Sequence, residues 1–276
     1  LSLNINRWIY SELINTKKSV EKHIKDYRFD EATRIIYKFV WNSYCDWYLE
    51  LSKTILFSKN KKYIKEVKNT SGFVFKEILI LLHPFIPFIT EELWLKNKLG
   101  TKKQKYLMYA NWIEDNKILK DKEIMDVNQV IEVISRIRSF KNELSISPGS
   151  FIDVSIQSVS KNKQNLFLNN QIMLKKLGRI NSILTKDSMN EFATLVISGE
   201  LFKIYFDKSV DLDLVRGNLI KKQGKLSAEL ESISKKLDNK SFIERAPKHI
   251  VEQDKNTYNE LKKDIDKIIL TIKSLK

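Results

Sequence analysis

The sequence predicts a mainly α fold made of a helical bundle, a small α/β module and a C-terminal antiparallel coiled-coil hairpin. Three observations predict it. Up to about residue 144, apolar residues recur at helical spacing. After Ser147, Pro148 and Gly149 they alternate with polar ones in strand fashion. Beyond Asp211 they step by three, four or seven, the pattern of a heptad seam. These changes of period divide the chain at 1–145, 146–210 and 211–276.

The first helix is expected from Ile5 to about Asp26, with Trp8, Ile9, Leu13, Val20 and Ile24 on one stripe. Asp30 is a suitable cap for a second, which carries Ala32, Ile36, Phe39, Val40, Ser43, Trp47 and Leu51 and runs to about Phe57. A third runs from near Tyr63 to His83. Pro84 stops it, because its ring disfavours the α conformation in the preceding residue, and Pro87 suits the first turn of the next. Glu91 and Glu92 lie near that helix's positive N-terminal end, and Gly100 marks its stop. A fifth helix spans about Glu123 to Leu144, with Ile124, Val127, Ile131, Ile134 and Ile137 facing inward.

In the α/β module, Ile152, Val154 and Ile156 form a strand and a helix covers about Lys163 to Leu177. Ala193 to Ile197 and Leu201 to Phe206 flank Ser198 and Gly199, a hairpin signal. In the last region Leu212, Val215, Leu219, Leu226, Leu230, Ile233 and Leu237 make one heptad run. Tyr258, Leu261, Ile265, Ile268, Ile272 and Leu275 make another, after a break at Ala246 and Pro247. Two such helices fold back on each other as a hairpin about 40 Å long.

Composition narrows the function. Lys and Arg number 49 against 34 Asp and Glu, a formal charge of +15, which favours a polyanionic partner such as nucleic acid or an acidic membrane surface. An AT-biased genome also yields Lys-rich sequence. The 42% hydrophobic content supports a folded chain, and stretches such as Ile78 to Leu82 fall far short of the roughly 20 residues that cross a bilayer. The first residue is Leu1, with no leader behind it, so the sequence is expected to begin inside a longer polypeptide.

No catalytic centre is visible. The lone Cys45 excludes an internal disulfide and a multi-Cys zinc site and fits a reducing cytoplasm, and His23, His83 and His249 are too far apart for a local ligand pair. No two of the seven glycines have phosphate-loop or dinucleotide spacing. The pairs Glu91/Glu92 and Asp264/Asp266 read as solvated helical charge, and the stripe around Cys45 reads as packing.

Two stretches, NRWIYSEL from Asn6 and YRFDEATRIIYKFVWNSYCDWYLE from Tyr27, are similar to the first helices of the anticodon-binding bundle in class I aminoacyl-tRNA synthetases of the valine type. HPFIPFITEELW from His83 resembles the next turn of that bundle. SRIRSFKNELSISPG from Ser135 looks like the family's basic helix and its Ser-Pro-Gly turn, and LGRINSI from Leu177 its α/β insert. VDLDLVRGNLIKKQGKLSAELESISKKL through NKSFIERAP resembles the family's coiled-coil arm, and the absence of a Cys-rich C-terminal module separates it from the isoleucine type. The family's HIGH-like and KMSKS-like ATP-binding signatures are absent, so the resemblance implies the tRNA-gripping part of such a ligase, inactive alone. It implies a parent that attaches valine to tRNA(Val) with ATP and Mg, no cofactor in this fragment and a monomer in the cytoplasm.

If the bundle meets the anticodon stem and loop, Asn6, Arg7, Arg28, Arg34, Lys38, Trp41, Asn42 and Tyr48 are its candidate contacts, because unstacked bases take aromatic, Arg and hydrogen-bonding partners. Trp8, Trp41 and Trp47 lie in or beside helical stripes, so core packing competes with contact for the aromatics. Arg136, Arg138 and Lys141 put three cations on about one and a half turns, a face that suits phosphates or solvent equally. In the arm, Arg216, Lys221, Lys222 and Lys225 meet no acid until Glu229, an imbalance that favours RNA. The rivals are a protein-interaction module of bundle plus coiled coil, and a stand-alone RNA-binding protein.

Overall fold

The computed structural model describes residues 1–102, 104–112, 122–144, 146–187, 192–206, 210–239 and 247–274. Ser145, Ala246, Leu275 and most of the NKSFIERAP stretch, which carried part of the sequence argument, lie outside them. The chain forms two compact units, Leu1–Ile131 and Glu132–Lys276.

In the first unit α1 (Asn4–Lys25) buries Ile5, Trp8, Ile9, Leu13 and Val20, the expected stripe. Its N-terminus has no side-chain cap of its own. The Glu66 carboxylate from α4 (Lys61–Leu82) does that work, accepting from Ser2 N at 2.9 Å, Leu3 N at 3.0 Å and Asn6 Nδ2 at 3.0 Å. Those bonds outweigh partial burial and pull the Glu66 pKa down to about 2. Asn60 caps α4 itself, accepting from Lys62 N and Tyr63 N.

The helix expected over 30–57 is present but changes pitch. It opens as α2 (Phe29–Lys38), widens into a π-helix over Phe39–Leu49 and closes as α3 (Glu50–Leu56). Asp30 is not its cap: Arg28 holds that position, and Asp30 lies inside the first turn, 3.3 Å from the Arg28 guanidinium. The wider pitch turns Tyr44 and Tyr48 into the core in place of Ser43 and Trp47, which end half-buried. The Tyr44 hydroxyl lies 2.9 Å from Ser71 Oγ, and Tyr48 donates to Asn6 Oδ1 at 2.8 Å.

Pro87 starts α5 (Pro87–Lys96), as its missing N–H and fixed φ favour. The helix ends before Gly100, at Asn97 and the left-handed Lys98 (φ 52°). Gly100 is needed for space instead, since a Cβ there would come within 2.5 Å of Lys105 O. Glu91 does not serve the helix terminus either; it accepts from Leu107 N at 3.0 Å and so ties down a 3-10 turn at Leu107–Tyr109. A small core of Leu79, Ile80, Trp94 and Leu107 forms there. Helix α6 (Lys122–Glu143) contributes its residues up to Ile131 to this unit, where Asn128 accepts from Trp8 Nε1 at 2.8 Å.

In the second unit the described strands make a four-stranded sheet in the order β2-β1-β4-β3. Strand β1 (Ile152–Ser155) is parallel to β2 (Ile180–Leu184) and antiparallel to β4 (Glu200–Phe206), which pairs with β3 (Phe192–Ile197). The β3–β4 turn is the expected Ser198-Gly199, both residues left-handed at φ 47° and 78°, which matches the twist of the strands. Strand β2 was not foreseen. The helix expected over 163–177 is two, α7 (Lys161–Asn169) and α8 (Gln171–Gly178), which meet at Asn170, where the backbone leaves the helical region at φ −106° and ψ 17° and both the backbone N–H and the side chain bond to Leu166 O.

Helices α9 (Leu212–Asp238) and α10 (Lys248–Ser274) are each about 40 Å long. Asp211 caps α9 through Leu214 N at 2.9 Å. They pack on each other, burying Val215, Leu219 and Ile233 with Val251, Leu261, Ile265 and Ile268. They are antiparallel, because the nine residues that join them, 239–247, reach about 35 Å at most and cannot carry the chain back along a helix of about 40 Å.

Candidate nucleic-acid interface

The solvent side of α2 and the π-helix presents Arg34, Tyr37, Lys38, Trp41 and Asn42, residues three, four, seven and eight apart on one exposed face. The rings of Tyr37 and Trp41 lie 6.2 Å apart and parallel to within 4°, and they remain 65% and 56% exposed. A parallel ring pair kept in water at an apolar cost is a platform on which a planar base could stack. Tyr37 was not singled out from the sequence. Its spacing of four from Trp41 was the available signal, obscured because Trp41 competes with Trp47 for a place in the stripe.

The charges on this face are locally compensated. Arg34 pairs with Glu31, and Arg28 lies 3.3 Å from Asp30 and 3.6 Å from Glu31. The hydrogen bond from Arg28 lowers the Asp30 pKa, and Asp30 raises that of Arg28. Such exposed pairs are weak, so a phosphate can exchange with the carboxylates at little cost. Arg7, half-buried, donates from Nε to Leu1 O at 2.8 Å.

Two of the bundle candidates are inside the protein. Asn6 and Tyr48 are fully buried, joined to each other and to Glu66, and burial pushes the Tyr48 phenol well above its ordinary range. Neither has surface to offer RNA, so they hold the interface helices together instead of contacting a ligand.

The basic helix divides similarly. Arg136 is exposed. Arg138 directs Nε and Nη2 to Leu177 O at 3.1 and 3.0 Å. Lys141 is 3% exposed and donates to Ser150 O at 2.8 Å, Gly178 O at 3.1 Å and Arg179 O at 3.3 Å. Burial, then the neighbouring Arg179 and Arg138 charges, lower its pKa to about 8. Lys141 therefore closes the carbonyl end of α8 and is withdrawn as a phosphate contact.

In the arm Lys221, Lys222 and Lys225 are exposed, while Arg216 lies 3.2 Å from Asp213. Arg136 and Lys222, read from separate segments, line one cavity of about 310 Å³ together with Glu143 and Asp264. Among the described residues no cluster of His, Cys, Asp or Glu is placed to hold a metal, and no helix is long and apolar enough to cross a membrane.

Residues 6–156 match the family described as the anticodon-binding domain of tRNA ligase, and residues 211–276 match the valyl tRNA synthetase tRNA binding arm. Over 275 residues the sequence is 56% identical to a valine–tRNA ligase of Pelagibacter ubique, covering 100% of this chain and 31% of that protein. It is 34% identical over 277 residues to one from Bartonella quintana, covering 100% and 30%. Against one from Agrobacterium fabrum it is 33% identical over 262 residues, covering 94% and 28%. The chain thus spans about a third of the length of the curated relatives it matches.

Proposed function

Since the chain belongs to the anticodon-binding domain family of tRNA ligases and ends in a valyl tRNA synthetase tRNA binding arm, we propose that it is the tRNA-gripping region of a valine–tRNA ligase. The observation that carries this reading is the order of the two matches on one chain, bundle first and arm last. The +15 charge and the exposed ring pair on α2 and the π-helix support it.

In this reading the bundle meets the anticodon stem and loop. Tyr37 and Trp41 stack on an unpaired base, and Arg34, Lys38 and Asn42 hold the flanking backbone or base edges. Arg28 and Arg7 lie at the margin. The arm, a coiled-coil hairpin, lays Lys221, Lys222 and Lys225 along phosphates of tRNA(Val), and Arg136 adds to them. The three parts act as the domains 1–145, 146–210 and 211–276. The whole protein joins valine to its tRNA with ATP and Mg, acting as a monomer in the cytoplasm. This region contributes orientation, since holding the acceptor end in place converts an encounter into an effectively intramolecular step.

The test is a binding titration with a valine tRNA transcript and with the same transcript carrying an exchanged anticodon loop. The exchange is expected to weaken binding by roughly tenfold, the scale of one lost stacked base. Equal affinity for both transcripts would remove the bundle from recognition.

A further inference from the structure

Between α5 and α6 the chain makes a loop that plays no part in the interface described above. Residues 97–112 hold four lysines and no carboxylate, interleaved with Tyr106, Met108, Tyr109 and Trp112, and Glu114 and Asp115 follow in the sequence. Lys98, Lys102 and Lys105 are exposed, and so are Tyr106, Met108 (65%) and Tyr109 (61%). Lys105 Nζ lies 5.2 Å from the centre of the Tyr106 ring, and the Tyr106 and Tyr109 rings stand edge to face at 6.5 Å.

The loop is held firmly from below. Trp94 Nε1 donates to Lys105 O at 3.1 Å, Glu91 accepts from Leu107 N, and Thr101 and Gln104 exchange backbone bonds at 3.1 and 3.2 Å. Buried Leu107 anchors the 3-10 turn, and Gly100 leaves the room that Lys105 O needs. Its neighbours in sequence consequently face water on a backbone already ordered, so a ligand that docks there orders little further chain.

We propose that this loop is a second RNA contact, in which Tyr106 and Tyr109 stack against an unpaired base and Lys98, Lys102 and Lys105 take the adjoining phosphates. It rests on the tRNA-binding reading and extends it to the surface of this loop. A protein partner fits less well. Exposed lysines without any acid among them select a polyanion, and rings beside them select one with planar faces.

The experiment measures binding of a fluorescein-labelled RNA stem-loop to the full 276-residue chain. Three variants are compared with the parent: Tyr106→Ala/Tyr109→Ala, Tyr106→Phe/Tyr109→Phe and Lys102→Glu/Lys105→Glu. Helicity by circular dichroism serves as the folding control. The alanine pair is expected to weaken binding about tenfold while the phenylalanine pair keeps it, because stacking needs the ring and not the hydroxyl. The glutamate pair is expected to make log affinity fall less steeply with log salt, by about two units of slope. Parental binding in the alanine and glutamate pairs would overturn the loop site. A Tyr37→Ala/Trp41→Ala variant run alongside distinguishes the failures: weakened binding there leaves the tRNA reading standing, and unchanged binding counts against that reading as well. Loss of self-association in place of RNA binding would make the loop a protein contact and also overturn the proposal.

Discussion

The Lys141 ammonium gives one hydrogen bond each to Ser150 O, Gly178 O and Arg179 O, and so joins α6 to the Ser-Pro-Gly turn and to the end of α8. Lys141→Met keeps the stem but takes the donor from Ser150 O and from buried Gly178 O, whereas Arg179 O keeps its bond from Ile152 N at 3.2 Å. The substitution is expected to lower unfolding free energy in urea by about 2–4 kcal/mol. The folded pKa of about 8 lies below the ordinary 10.5, so between those values the unfolded state binds more protons. This group's contribution therefore rises as pH rises from about 8 to about 10.5, and the rise should vanish in Lys141→Met. Glu66 has the opposite limb. Its pKa of about 2 lies below the ordinary 4.5, so its contribution is present above about 4.5 and is lost as pH falls toward about 2. In Glu66→Gln the acid unfolding curve should be flatter over that range, and an unchanged curve would mean that the carboxylate does not cap α1. Neither role was legible in the sequence, where lysine on a helix reads as surface and a carboxylate at position 66 has no visible partner.

On the scale of elements, the π-helix decides which aromatics are core and which are available. A template of 3.6 residues per turn assigned Ser43 and Trp47 to the stripe; the extra residue per turn moves Tyr44 and Tyr48 inward instead. The same geometry predicts a separation of effects. Tyr48→Phe removes a buried hydrogen bond to Asn6 and should cost about 1 kcal/mol of stability without touching RNA affinity. Tyr37→Ala/Trp41→Ala should leave stability within about 1 kcal/mol and weaken tRNA binding about tenfold, as measured by paired urea melts and titrations. Gly100→Ala should destabilise by about 1–3 kcal/mol, since its Cβ meets backbone that cannot swing away. Helix ends set by prolines and the Ser198-Gly199 turn were readable because those residues restrict φ directly. Strand β2 was not, because five residues next to a helix are too few to display an alternation, and its place comes from pairing with β1.

For the molecule as a whole, two changes of hydrophobic period were enough to give a helical bundle, an α/β module and a paired-helix arm. Each period is a property of many residues, and local surprises such as Asn170 do not erase it. The interface was legible only in part. Charge and motif order pointed to RNA, yet Asn6, Tyr48 and Lys141 proved structural, because a polar residue looks the same in sequence whether its partner is solvent, a nucleic acid or the protein's own backbone. In the proposed function this chain grips tRNA through cations displayed on its surface, those of the arm above all. This grip is tested most directly by titrating a valine tRNA transcript over a salt series with the parent chain and with Lys221→Glu/Lys222→Glu/Lys225→Glu. Log affinity is expected to fall linearly with log salt, and the triple variant to flatten the slope by about 2–3, one counterion for each lost phosphate contact. An affinity indifferent to salt, or a slope that the triple variant leaves unchanged, would contradict it.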